Sequence, residues 1–243
     1  MIRKTLQRTK RSTFIVNIPN KNLDGFPTPT GTGFFISPRG YFITAKHVCD
    51  VAEDVSEIHL NQPIGRETSR YVAGSLELVE QWKEFDIALL KADFESNPAK
   101  ETFTGKQFPY LDIDFKEQKE GTPVYSYGFP LPDFEVQDGG EVKVGIHYIC
   151  PRTTSAIISS LHEVIGPVAS HGPPTHYVID KALNYGNSGG PIVVTETGKV
   201  ISVCVRFQPV HVQQNPNVSI MVPSLYGITS SLWNIKNYLD NIL

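Results

Sequence analysis

Residues 31–44 read Gly31-Thr32-Gly33-Phe34-Phe35-Ile36-Ser37-Pro38-Arg39-Gly40-Tyr41-Phe42-Ile43-Thr44. Two short runs rich in aromatic and β-branched side chains, 33–36 and 41–44, flank four residues of turn chemistry. Proline presets φ and glycine accepts the positive φ that a tight connection needs, so the stretch reads as a hairpin. Comparable runs recur at 13–18, 87–91, 124–128, 142–149, 177–179, 192–194 and 200–207. Gly, Pro, Asn and Asp separate them, and eighteen prolines and nineteen glycines leave room for many turns. This spacing predicts an all-β sandwich or barrel.

With 243 residues, 40% of them hydrophobic, the chain can bury a substantial core as one large domain or two small ones. Residues 95–106 and 112–121 are polar and lack periodicity, which places a link between two β domains there. The predicted division is 1–108 and 109–223. Beyond it, Leu225, Ile228, Leu232, Ile235, Tyr238, Leu239 and Ile242 form an apolar stripe at helical spacing, with Ser224 as N-cap, which predicts a helix over 224–243. No internal repeat or low-complexity segment is visible.

A net charge of −3 gives no reason to expect nucleic acid or an anionic membrane as the main partner. The first twelve residues depart from that balance: Arg3, Lys4, Arg8, Lys10 and Arg11 stand there with no acid. They read as a solvated first segment, with a basic docking arm and a mitochondrial presequence as alternatives. No apolar run near Met1 is long enough for a signal-peptide core, and none approaches the roughly 20 residues of a membrane helix, so the mature chain is expected to begin at Met1. Three widely spaced cysteines, Cys49, Cys150 and Cys204, argue against a disulfide framework and fit a reducing compartment. The expectation is cytoplasm.

The strongest chemical signal is Gly186-Asn187-Ser188-Gly189-Gly190-Pro191, set before the apolar run 192–194. Gly and Ser also make ordinary turns, but a glycine-rich turn can expose the Ser188 hydroxyl and aim the N–H groups of Gly186 and Ser188 at one point, where an oxyanion develops. A serine hydroxyl needs a base, and the base needs a fixed tautomer. His47 follows the run 41–44 and Ala45, at a strand end; His59, His147, His162, His171, His176 and His211 lack such a setting. Asp86 precedes Ile87-Ala88-Leu89-Leu90, where an unpartnered carboxylate would be costly to desolvate unless it accepts from an imidazole. A plain strand-start aspartate in water is the alternative. His171 and His176 are close enough to share a zinc, yet no second ligand pair accompanies them, so no metal and no cofactor is expected.

Together these segments resemble the trypsin-like serine peptidases, most closely the bacterial HtrA/Deg branch. Gly31-Thr32-Gly33-Phe34 before Thr44-Ala45-Lys46-His47-Val48 is similar to that family's strand and histidine segment. Asp86-Ile87-Ala88 resembles its aspartate segment, and 180–191 its nucleophile loop. Val222-Pro223-Ser224 is similar to the turn before its final helix, so the likeness runs from about residue 13 to 240. The resemblance implies two antiparallel six-stranded β-barrels with a C-terminal α-helix, and an endopeptidase with Ser188 as nucleophile, His47 as base and Asp86 as its orienting acid. Its substrate would be a protein or peptide, and a regulatory partner or an oligomer is left open.

Asn187 stands where zymogen-activated relatives carry an aspartate, so no activation by a newly cut N-terminus is expected, and no PDZ domain is expected after the helix. By the family's pattern Ala182, with Leu183 beside it, floors the primary pocket, while Cys204, Val205 and Arg206 wall it and Ser219 or Ile220 lies near. No carboxylate sits at that floor, so a lysine or arginine would lose hydration without a counter-ion. A small or medium apolar residue is expected before the scissile bond; an inward Arg206 would favour an acidic one. A silent peptide-binding scaffold and an esterase or acyltransferase are the alternative functions. Residues 166–174 read as an ordinary surface excursion or a regulatory loop.

Overall fold

A computed structural model describes residues 2–64, 69–72, 76–138, 143–161, 175–215 and 218–243. A helix, α1 (Ile2–Ser12), leads into β1 (Thr13–Asn20), β2 (Phe26–Phe35) and β3 (Tyr41–Ala45), followed by a single helical turn, α2 (Lys46–Cys49). Next come β4 (His59–Pro63), β5 (Ser69–Val72), β6 (Leu76–Trp82) and β7 (Ile87–Ala92). These strands form a seven-stranded sheet in the order β5-β4-β1-β2-β3-β7-β6, every neighbouring pair antiparallel. The hairpin read from residues 31–44 is β2 and β3, with Phe35 opposite Phe42.

The apolar runs of these strands do not alternate with polar residues because both faces of the sheet are covered. Phe35, Phe42, Ala88 and Leu90 point into the first unit's own core with Phe14 and Phe108. Their neighbours Phe34, Ile43, Ile87 and Leu89 point the other way and pack on Tyr125, Val193 and Val203 of the second unit. Between Ala92 and Pro123 the chain forms no strand apart from one isolated bridge, Ile113 to Val200. Phe103, Phe108 and Leu111 anchor that connection in the two cores.

The second unit comprises β8 (Pro123–Gly128), β9 (Asp133–Asp138), β10 (Lys143–Tyr148), β11 (Arg152–Ser160), β12 (His176–Ile179), β13 (Pro191–Val194), β14 (Val200–Asn215) and β15 (Val218–Ser231). Six of these close a barrel in the order β11-β12-β15-β14-β13-β8, while β9 and β10 pair as a separate ribbon. The all-β class, two antiparallel units and a terminal helix, is therefore present, with the second unit a closed six-stranded barrel.

Two local expectations need correction. The helix predicted from Ser224 begins later: β15 runs to Ser231, whose side chain accepts from the Trp233 N–H and caps a 3₁₀ turn leading into α3 (Lys236–Ile242). Ile228, Thr229 and Ser230 are claimed by β12 on one side and β14 on the other, and that ladder overrides the apolar stripe. The basic first segment is not simply solvated. It is α1, with Thr9 and Ser12 fully buried and Thr9 Oγ1 2.9 Å from the Tyr125 hydroxyl in the second barrel. His162, His171 and residues 166–174 lie outside the described residues.

Candidate active site

His47 follows the end of β3 and Asp86 immediately precedes β7. Those strands pair antiparallel, with Ala45 opposite Ile87, so the ladder itself brings the two residues together. The Lys46 N–H extends it to the Asp86 carbonyl at 3.0 Å. Asp86 adopts φ +53°, a left-handed conformation that aspartate tolerates better than most side chains. Its Oδ1 accepts from the His47 backbone N–H at 2.9 Å, and its Oδ2 lies 2.6 Å from His47 Nδ1. A carboxylate is an acceptor only, so Nδ1 carries the proton and Nε2 is left as the basic nitrogen. The pair is 47% and 34% exposed, too open to contribute much stability; its effect is to fix one imidazole orientation and tautomer.

Ser188 sits in the loop between β12 and β13. Gly186 and Gly189 take φ of +92° and +85°, which few side chains tolerate. A Cβ at Gly189 would lie 2.0 Å from the Thr32 carbonyl oxygen, so the loop is pressed against the first sheet. Buried Thr32 fastens it there. Its N–H donates to the Ser188 carbonyl at 2.8 Å and its hydroxyl donates to the Gly186 carbonyl at 2.6 Å, while accepting from the Phe129 N–H at 3.3 Å. Gly189 N–H donates to the Cys204 carbonyl at 2.7 Å, which joins the loop to β14. Among the described residues, the N–H groups of Gly186 and Ser188 donate to no acceptor. The Ser188 hydroxyl donates weakly to the Val205 carbonyl at 3.4 Å.

His47, Asp86 and Ser188 line one cleft of about 370 Å³, together with Leu183, Cys204, Val205 and Arg206. The arrangement combines a hydroxyl, a base of fixed tautomer and two backbone donors, the parts that acyl transfer requires. Asp86, already bound to His47, is the one carboxylate lining it among the described residues. Burial pushes the Cys204 thiol up to about 12, so this wall residue is an inert apolar surface at neutral pH.

Two pocket residues expected from the sequence are placed elsewhere. Ala182 is half-buried but does not line the cleft; Leu183 does. Ile220 pairs with Val212 far out on the β14–β15 ribbon, exposed, and neighbouring Ser219 is exposed with it. The part of β15 that approaches the cleft is Gly227, opposite Phe207, where a Cβ would lie 2.5 Å from Leu183 Cγ. A lone glycine in a β-branched run was the available signal for that close approach. Asn184, Tyr185 and Phe207 also line the cleft and were not foreseen. Of the other histidines, His59 and His176 sit half-buried on β4 and β12, away from it. Asn187 is buried, its side chain against Gly128 and its N–H donating to the Asn184 carbonyl at 3.0 Å.

The family model described as a trypsin-like peptidase domain matches residues 31–203. A curated relative from Halomonas elongata, named probable periplasmic serine endoprotease DegP-like, is 30% identical over 178 residues, 71% of this chain and 28% of its own length. A relative of the same name from Rickettsia conorii is 28% identical over 198 residues, 81% of this chain and 32% of its own. The chain thus spans about a third of the length of the curated relatives it matches. In structure it is similar to the HtrA-type protease AlgW with tripeptide, at TM-score 0.62 and 18% identity over 100% of this chain and 63% of that one. It is also similar to a serine endoprotease from Yersinia pestis, at TM-score 0.59 and 20% identity over 99% and 66%.

These relatives overturn the expectation of a cytoplasmic location, since both are named periplasmic. Free cysteines argue against a disulfide framework and do not identify a compartment: Cys49 and Cys204 are buried core thiols, a role open to them anywhere.

Proposed function

The chain belongs to the trypsin-like peptidase family, and on that premise we propose that it is a serine endopeptidase acting on proteins or peptides through an acyl-enzyme on Ser188. His47 Nε2 takes the hydroxyl proton as Ser188 Oγ attacks the scissile carbonyl, and returns it to the leaving amine. Asp86 holds the ring and stabilises the imidazolium formed in that step. The N–H groups of Gly186 and Ser188 receive the negative charge of the tetrahedral intermediate. The observation that carries this reading is the pair of hydrogen bonds that His47 gives Asp86, from ring and main chain, at the edge of a cleft shared with Ser188.

Leu183, Val205 and Phe207 make much of the proposed primary pocket apolar, and Gly227 leaves space beside Leu183. A small or medium apolar residue is proposed before the scissile bond. The relatives' names place them in the periplasm, and the same compartment is proposed for this chain.

Fluorophosphonate labelling tests the core of the proposal. The purified chain should be labelled at Ser188, Ser188→Ala should abolish the adduct, and cleavage of a peptide library should show the apolar preference. The weak Ser188–Val205 bond favours a second reading, a silent fold that only holds peptides. Failure of wild-type labelling would establish that reading instead, and a preference for basic residues would remove the pocket assignment.

A further inference from the structure

A second cavity, of about 630 Å³, lies where α1 crosses residues 104–110 of the connection between the barrels. Among the described residues, every charged side chain that lines it is a cation: Arg3, Lys4, Arg8 and Arg11. Lys4, Arg8 and Arg11 are spaced i, i+4 and i+7, so they share one stripe of α1, where like charges destabilise a helix. Arg8 has a partner, with Nη1 2.6 Å from Asp112 Oδ2 and Nε donating to the Tyr110 carbonyl at 3.0 Å. Among the described residues, Arg3, Lys4 and Arg11 have no such carboxylate.

Two buried polar atoms nearby also lack a hydrogen-bond partner. Ser12 is fully buried and lines the cavity, and its hydroxyl has no hydrogen-bond partner. Arg70, stacked over the Phe103 ring, has a buried Nε without an acceptor; burial first, and the charge of Arg11 second, hold its pKa below the usual value. A chain of net charge −3 thus concentrates uncompensated positive charge and an idle hydroxyl in one concavity, with the Arg70 guanidinium close behind Arg11. Such a concavity focuses the field on an incoming anion. The arginine forks suit phosphate oxygens, and a phosphate can also accept from a hydroxyl.

We propose that this cavity binds a compact phosphate-bearing anion, with Arg3, Lys4 and Arg11 as its charge contacts and the Ser12 hydroxyl as a neutral donor. The volume lies within the range of small-molecule sites. An occupant would join α1 to the inter-barrel connection and brace both.

Calorimetric titration of the full chain with sodium tripolyphosphate, in sulfate-matched buffer, tests the proposal. One-to-one saturable binding is expected. Lys4→Gln with Arg11→Gln, two exposed positions, should weaken it about 100-fold, at about tenfold for each charge-assisted contact removed. Lys83→Gln with Lys116→Gln removes the same charge from exposed sites elsewhere and should leave binding intact. Sedimentation with phosphatidylglycerol vesicles against phosphatidylcholine vesicles distinguishes a lipid phosphate from a soluble one; variant-sensitive binding in either arm supports the site. Absence of binding in both arms, or equal weakening in the two double variants, would overturn it.

Discussion

Replacing Thr32 by valine removes one hydroxyl and little volume, and that hydroxyl is a side-chain link between the first sheet and the Ser188 loop. It donates to the Gly186 carbonyl at 2.6 Å and accepts from the Phe129 N–H at 3.3 Å. An orphaned buried polar group costs about 1–3 kcal/mol. The second bond is long, so the expected loss is about 2–4 kcal/mol, or about 4–16 °C in Tm for a chain of this size. The effect on chemistry should be separate. Removing an oxyanion donor outright costs about 10²–10³-fold, and loosening the turn that aims it should cost roughly 10–100-fold in the rate of fluorophosphonate labelling. Calorimetry and labelling kinetics, each run well below the variant's Tm, measure the two effects. Thr32→Ser keeps the hydroxyl and should label within about threefold of wild type. If Thr32→Val melts early yet labels at the wild-type rate, Thr32 is a structural bolt and the link to the oxyanion site is refuted; equal damage in the serine variant would refute the hydroxyl's role.

Asp86→Asn keeps the shape but favours the wrong imidazole tautomer. Turnover should fall by about 10³–10⁴-fold with little change in Tm, and near-normal turnover would remove Asp86 from the mechanism. Burial pushes Cys49 and Cys204 up to about 12. A maleimide should therefore modify exposed Cys150 in the native chain and all three thiols only after unfolding. Because the unfolded thiols ionise near 9.0 while the folded ones stay protonated, the stability present below pH 9 should decline as pH rises toward about 12. Cys204→Val should flatten that decline in urea titrations, and an unchanged slope would count against the buried neutral thiol. Leu239→Ala empties a fully buried position between α3 and the inter-barrel core, so urea unfolding should show a loss of about 2–5 kcal/mol. A loss under about 1 kcal/mol would mean that α3 is not a structural part of that core.

What could be read in advance follows from how local the determinants are. The runs at 34–36, 41–44 and 87–90 are continuous because one face meets the first core and the other meets the second barrel, and that doubled burial is written into the residues themselves. The Ser188 loop was legible for a similar reason, since positive φ at Gly186 and Gly189 demands glycine at those positions. The β14–β15 ribbon was not. Its prolines and polar residues carry a weak strand pattern, and cross-strand pairing rather than propensity extends it. Three register shifts along that ribbon also defeat counting by analogy, so Ile220 falls outside the cleft that Gly227 approaches. Thr32 gave no sign of its role, because its partners lie 97 and 154 residues away.

Helices α1 and α3 each reach across from the unit beside them in sequence to the other one. α1 precedes the first sheet, yet Thr9 reaches Tyr125 and Lys10 lies 5.7 Å from the Tyr127 ring centroid, both on β8 of the second barrel. α3 follows the second barrel, yet Tyr238 packs edge-on against Trp82 of β6, and Arg39 holds the carbonyls of Ile242 and Leu243. Each of these helices is thus a strap that reaches the half beyond its neighbouring strands. His47 and Ser188 sit on opposite halves, and α1 and α3 each tie those halves together from outside the cleft.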